Sequence, residues 1–333
     1  MTTTIDRVSR VSEIDILVSE VGPRDGLQSV NSTMPTAVKH RWIAALADAG
    51  LREIEVASFV SPKRLPQMAD ADVVVAKALT IPNLNVLALV PNLTGARNAI
   101  AAGARALTIP VSASRTHSQS NIGMSPERAL QEVAAIAELR AGIPDLHLEV
   151  GISTAFGCTV EGPVSEDWVI ELAVAAARNG ADSVGLSDTT GYADPAQIRR
   201  LFTRLGAELG ERAGGAHLHN TRGQGLANVV AALDVGVTTF DSSQAGLGGC
   251  PYAPGASGNI VTEDLVYLLE SMGLRTGVDV QALIAARAII TDGLPEEDLY
   301  GHVPDAGLPK GFQYAASSGG LATESPARGP QVN

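Results

Sequence analysis

The sequence predicts an α/β fold, a (β/α)8 TIM barrel with a C-terminal helical extension, on three observations. Short β-branched runs alternate with longer Ala- and Leu-rich runs of helical spacing, the pattern of βα units on a parallel sheet. Eight such pairs can be counted, the number that closes a barrel of typically about 250 residues. No Gly-x-Gly-x-x-Gly follows the first strand candidate, which argues against a dinucleotide-binding, doubly wound sheet.

In chain order, strands are expected at 16–21, 53–56, 85–90, 106–111, 147–152, 183–187, 216–219 and 238–241. Helices should begin near Thr36, Ala69, Leu93, Ser125, Ser165, Pro195, Gly225 and Thr262. Ser125-Pro126 and Asp194-Pro195 place a capping side chain directly before a proline at the first helical position. Ala49-Gly50, Ala102-Gly103 and Asn179-Gly180 read as glycine-assisted exits. Segment 112–122 reads as a loop, and 279–291 as a further helix after the eighth unit. The expected organisation is a barrel over 1–292, an extension packed on it over 293–314, and a tail over 315–333 whose composition reads as disordered.

A chain of 333 residues with 45% hydrophobic content can bury a sizeable core. Its net charge of −12 argues against nucleic acid as a partner, because phosphate binding needs clustered Lys and Arg. With only Cys158 and Cys250 there is no disulfide framework, and a reducing compartment is expected. No apolar run of about 18 residues predicts a membrane span. The first fifteen residues lack the apolar centre of a secretory signal, so the expectation is a cytoplasmic enzyme without membrane partners.

In a barrel of this kind the active site lies at the carboxyl ends of the strands, and closure makes strand eight a neighbour of strand one. His217-Leu218-His219 ends the seventh strand, and residues i and i+2 of a strand share a face. Asp25 follows strand one, while a glycine-rich loop carrying Cys250 and ending at Asn259 follows strand eight. One carboxylate, two imidazoles and one carboxamide oxygen form a mixed N/O set that suits Mg²⁺ or Mn²⁺ better than a closed thiolate site for Zn²⁺. Satisfied barrel-mouth histidines are the bland reading of the same pair.

Four segments carry a family resemblance: VGPRDGLQ at 21–28, SFVSPKRLPQMAD at 58–70, VPNLTGARN at 90–98 and DSSQAGLGGCPYAPGASGNIVTEDLVY at 241–267. In order and spacing the chain resembles the 3-hydroxy-3-methylglutaryl-CoA lyases, metal-dependent acyl-CoA lyases related to the isopropylmalate and citramalate synthase barrels. The resemblance implies cleavage of a 3-hydroxy-3-methylglutaryl thioester to acetyl-CoA and acetoacetate with a divalent cation, on an acyl-CoA substrate, by a homodimer or higher homo-oligomer. It implies Asp25, His217, His219 and Asn259 as metal ligands, Arg24 as a substrate-binding and catalytic residue, and Cys250 as a catalytic thiol on a mobile loop. His217 is counted among the catalytic residues too. Glu55 and Asp188 fall on acidic positions near the site, with capping or salt bridging as their alternative, and Gln28 and Ser58 are candidate polar lining for substrate. His40, His117, His147 and His302 are expected at the surface or in loops.

The chain departs from that family at Asn220, where the lyases carry aspartate, and at Arg115 and His117, where the animal enzymes carry acidic and aromatic residues. These differences keep open a lyase for another branched 3-hydroxyacyl-CoA such as citramalyl-CoA, and a condensing transferase on the same barrel.

Overall fold

The computed structural model describes residues 14–248 and 258–315. Eight parallel strands close in sequence order: β1 (Leu17–Glu20), β2 (Glu53–Ser58), β3 (Asn85–Leu89), β4 (Ala106–Ser112), β5 (His147–Ser153), β6 (Ser183–Asp188), β7 (Ala213–Leu218) and β8 (Thr239–Ser242), with β8 paired to β1. The helices are α1 (Thr36–Asp48), α2 (Ala71–Ala78), α3 (Leu93–Ala101), α4 (Arg115–Ile122), α5 (Pro126–Ala137), α6 (Glu166–Arg178), α7 (Pro195–Leu209), α8 (Gly225–Leu233), α9 (Thr262–Ser271), α10 (Val280–Gly293) and α11 (His302–Ala306). The (β/α)8 barrel expected from the alternation of apolar patterns is the fold observed.

The start signals act as the sequence indicates. Ser125 Oγ accepts from Arg128 N–H, and the Asp194 carboxylate accepts from Ala196 and Gln197 N–H, each with proline next in line. Such side chains satisfy donors that the first turn leaves without an intrahelical partner.

Two elements differ from expectation. Segment 112–122, read as a loop, contains α4, whose polar sequence lacks an apolar stripe. It is defined by Ser114 Oγ accepting from His117 N–H and by Gly123 in the left-handed region, φ 73°. Strand β7 begins at Ala213 rather than 216, because Gly214 and Gly215 belong to it. A Cβ on Gly214 would lie 2.8 Å from Gly185 N and one on Gly215 would lie 2.8 Å from Thr239 O, so β6, β7 and β8 can approach only where side chains are missing. The register runs Val184↔Ala213 and then Leu186↔Ala216, an extra residue on β7 that sets which face Ala216, His217 and Leu218 present.

The apolar core lies between the sheet and the helix ring, where Trp42, Ile54, Leu107, Leu148 and Phe240 are fully buried. The bore is polar by contrast. Ser19, Glu55, Thr108, Glu149, Ser187, His217 and Asp241 line a cavity of about 1550 Å³ that includes the carboxyl ends of the strands. Beyond the eighth unit, α10 packs on α1, and Phe312 meets Tyr267 at a tilt and Tyr314 edge-on, with ring centroids 5.3 and 5.2 Å away. Ala315 N–H donates to Glu270 at 2.7 Å, and the rest of the tail expected to be disordered lies outside the described residues. Among the described residues no helix is long and apolar enough to cross a membrane.

Candidate metal centre and active site

Three neighbouring pieces of backbone deliver the site. After β1 the chain makes a single π-helical turn, Gly22–Gly26, in which the N–H groups of Arg24 and Asp25 both point at Val21 O, 3.1 and 2.6 Å away. That turn holds Arg24 and Asp25 over the mouth. His217 is in β7 and His219 lies one residue past its end, where its backbone forms an isolated antiparallel bridge with Asn259. The segment after the glycine loop returns through Asn259 N–H to Gly248 O (2.9 Å) and Ile260 N–H to Leu218 O (3.1 Å). A Cβ at position 258 would lie 1.8 Å from Gly248 O, so only glycine allows the two ends of that loop to cross.

The side chains meet as the strand-end argument requires. The Nε2 atoms of His217 and His219 face one another at 3.3 Å, and His217 Nε2 is 3.9 Å from Asp25 Oδ2. Asn259 Nδ2 donates to Asp25 Oδ2 at 2.7 Å, and Gln28 Nε2 donates to Asp25 Oδ1 at 2.6 Å. The Arg24 guanidinium is shared between Asp25 and Glu55, and all three side chains are largely or fully buried. Ser58 lines the same cavity with a buried, unpartnered Oγ.

Asp188 lies differently. Its neighbours Ser187 and Thr189 line the cavity, whereas Asp188 Oδ1 accepts from Tyr192 N–H (2.8 Å) and Ala193 N–H (3.2 Å), leaving Oδ2 buried and unpartnered. Cys250 lies outside the described residues. Asn220 is tied into the start of α8, where its Oδ1 accepts from Gly225 N–H at 3.0 Å. His117, expected at the surface, is instead 8% exposed, lines the cavity, and meets Ser112 Oγ through Nδ1 at 2.9 Å. Its burial follows from α4, whose helical turn rolls His117 and Ser118 inward.

The electrostatics follow from charges packed in a small space. Burial alone would raise the Asp25 carboxyl, but Arg24, then His217 and His219, hold it well below the usual carboxylate range. Burial and the adjacent His217 push His219 down to about 4, so it is a neutral imidazole near pH 7. Burial opposes protonation of His217 as well, yet its hydrogen bond to Asp241 and that residue's charge outweigh it and raise the ring. Burial raises Glu55 against the pull of Arg24, and burial pushes Asp188 up to about 6 despite its two N–H donors.

These donors fit a divalent cation. Asp25, His217 and His219 each offer a ligand atom, and these atoms lie within 4.8 Å of one another. The Asn259 Oδ1 atom is buried without a hydrogen-bond partner, as a carboxamide ligand oxygen would be. The 3.3 Å between the two Nε2 atoms is close to the roughly 3 Å edge of an octahedron with ligand bonds of about 2.1 Å. Sequence reasoning missed Asp241, which lies opposite His217 in the β7–β8 register and binds its Nδ1 at 3.0 Å. An acidic residue at the end of the strand beside the histidines was the available signal.

The chain is similar to known proteins in sequence and fold. The HMGL-like family model matches residues 15–290. The mitochondrial hydroxymethylglutaryl-CoA lyase of Mus musculus is 42% identical over 279 residues, 84% of this chain and 86% of its own length. A hydroxymethylglutaryl-CoA lyase of Bacillus subtilis is 41% identical over 272 residues, 81% and 90% of the two chains. Among solved structures, an HMG-CoA lyase from A. baumannii in complex with coenzyme A and 3-methylmalate superposes with a TM-score of 0.84 at 38% identity, covering 90% of this chain and 97% of that one. With its barrel, its strand-end constellation and its sequence all pointing the same way, the chain belongs to the HMGL-like family.

Proposed function

We propose that the chain is a carbon–carbon lyase that cleaves 3-hydroxy-3-methylglutaryl-CoA to acetyl-CoA and acetoacetate by a retro-Claisen reaction, with Mg²⁺ or Mn²⁺ held by Asp25, His217, His219 and Asn259. The observation that carries the reading is the meeting of two Nε2 atoms and one carboxylate oxygen, from residues that line one large cavity, with Asn259 and its unpartnered carboxamide oxygen against Asp25 behind them. The relatives supply the substrate class, since those named above act on hydroxymethylglutaryl-CoA and one holds coenzyme A. When bound, the cation lowers the pKa of the substrate's tertiary hydroxyl and fixes the acyl end in place.

The chain's own groups account for the remaining demands. The reaction removes the hydroxyl proton, breaks the bond between C2 and C3, forms a ketone at C3, and leaves the electron pair as the enolate of the thioester. Arg24 is permanently charged and, braced by Glu55 and Asp25, holds the thioester oxygen on which that charge develops. Gln28 steadies Asp25 from one side as Asn259 does from the other, and the Ser58 hydroxyl is free to meet substrate. Glu55 lines the cavity with a buried, unpartnered Oε1 and a carboxyl that burial raises, and is the candidate for holding the hydroxyl proton, whereas Asp188 faces its own loop and shapes the β6 end. Cys250 returns a proton to the enolate carbon, a role suited to a thiol that is mostly protonated at neutral pH.

The test is a product assay over a panel: 3-hydroxy-3-methylglutaryl-CoA, citramalyl-CoA, and acetyl-CoA with a keto acid for the reverse condensation. With Mg²⁺ or Mn²⁺ the first should release acetyl-CoA and acetoacetate, and EDTA should stop it. Full turnover after verified metal removal would sink the metal reading. Turnover of citramalyl-CoA alone would transfer the function to that branched hydroxyacyl thioester.

A further inference from the structure

His217 is held from behind. Strands β7 and β8 pair His217 directly with Asp241. The Nδ1 atom of the ring lies 3.0 Å from Asp241 Oδ2, while the Nε2 atom on its far side faces His219 Nε2 at 3.3 Å and Asp25 Oδ2 at 3.9 Å. An ionised carboxylate can only accept a hydrogen bond, so the proton of the neutral imidazole must be on Nδ1. The alternative tautomer would put a proton on Nε2, into the narrow gap between the two rings where a cation would need a lone pair. His219 has no comparable brace, since its Nδ1 is buried without a partner and its place comes from the backbone bridge to Asn259.

We propose that Asp241 is the positioning residue for His217: it accepts a hydrogen bond from Nδ1–H, keeps Nε2 bare, and aims that nitrogen at the position shared with His219 and Asp25. This rests on the metal reading of the site. Asp241 acts through the ring and is no ligand itself. It also places a negative charge behind the imidazole, which makes Nε2 a stronger donor. An asparagine could not do the same reliably, because its amide could turn and donate to Nδ1, forcing the proton onto Nε2. The glycine bulge in β7 contributes to this arrangement, because it sets which residues of β7 face the bore beside Asp241.

The experiment measures Mn²⁺ binding to the full chain by calorimetry and by Mn²⁺ electron paramagnetic resonance, for the unaltered protein, Asp241→Asn and Asp241→Ala. The expected result is Mn²⁺ affinity weakened about 10–100-fold in both variants, with Asp241→Asn binding no more tightly than Asp241→Ala and circular dichroism unchanged. A second measurement needs no variant: ¹⁵N NMR of the Mg²⁺-loaded protein should show the His217 proton on Nδ1 and none on Nε2. Variants that bind Mn²⁺ within twofold of the unaltered protein, or a proton found on Nε2, overturn the positioning role and leave the metal reading standing. Absence of Mn²⁺ binding by the unaltered protein overturns both.

Discussion

Arg24 shows how much one side chain can be asked to do. It bridges two carboxylates, Asp25 on its own turn and Glu55 on β2, in a position that is 8% exposed. Arg24→Lys keeps the charge and gives up the planar fork that can meet both carboxylates and a substrate oxygen together. The expected outcome is a fall in kcat of about 10²- to 10³-fold, with a smaller change in KM and retained metal binding, read from steady-state kinetics. An unchanged kcat would return Arg24 to a purely structural ion pair. At this scale the sequence was informative where geometry follows from parity. His217 and His219 were placed together by the two-residue period of a strand, and the structure brings their Nε2 atoms face to face. It was uninformative for His117 and Asp241, whose neighbours come from other segments: α4 rolls one inward and β8 sets the other behind His217.

Elements were legible in proportion to the strength of their local chemistry. Helix α7 opens with Asp194, whose carboxylate takes two N–H groups, and Pro195 adds a preset φ. Asp194→Ala should cost about 1 kcal/mol in a denaturant titration, without changing catalysis because this end of α7 carries no site residue. A cost near zero would mean that tertiary packing alone holds the helix start. Elements with weak local signals were the ones misread. The polar α4 has no apolar stripe to betray its period, and its order comes from Ser114 at one end and Gly123 at the other. The first residues of β7 were passed over because glycine is a poor strand former, yet the sheet needs glycine there to bring β6 and β8 close. In both cases a contact distant in sequence overrides local preference.

At the scale of the whole molecule the seam between the first and last strands decides whether the site exists. Glu20, fully buried at the end of β1, accepts from Gly22 N–H (2.8 Å), Gln244 N–H (2.9 Å) and Thr262 Oγ–H (2.6 Å). One carboxyl thereby ties the Asp25 turn to the segment after β8 and to the start of α9. Glu20→Ala strands the two buried N–H groups and should cost about 3 kcal/mol. Burial pushes the Glu20 carboxyl up to about 8, outweighing the hydrogen bonds that favour its anion. Its folded-state pKa is thus above the ordinary 4.5, and the folded chain keeps a proton that the unfolded chain releases. That contribution is complete below about pH 4.5 and is lost as pH rises through 8. Thermal melts of the metal-free protein should therefore lose more stability between pH 6 and 9 than those of Glu20→Gln, which cannot ionise. Parallel pH profiles would show that Glu20 is ionised throughout.

What the sequence determined by itself was the order of strands and helices, the barrel they form, and the strand ends that bear Asp25, His217, His219 and Asn259, because hydrophobic periodicity and capping are local and closure is a matter of counting. Only the tertiary structure decided that Asp241 backs His217, that Glu20 ties the seam, and that Asp188 turns to its own loop rather than lining the cavity. Those outcomes depend on register across strands and on which buried polar atoms find partners, and both are settled by contacts between segments far apart in the chain.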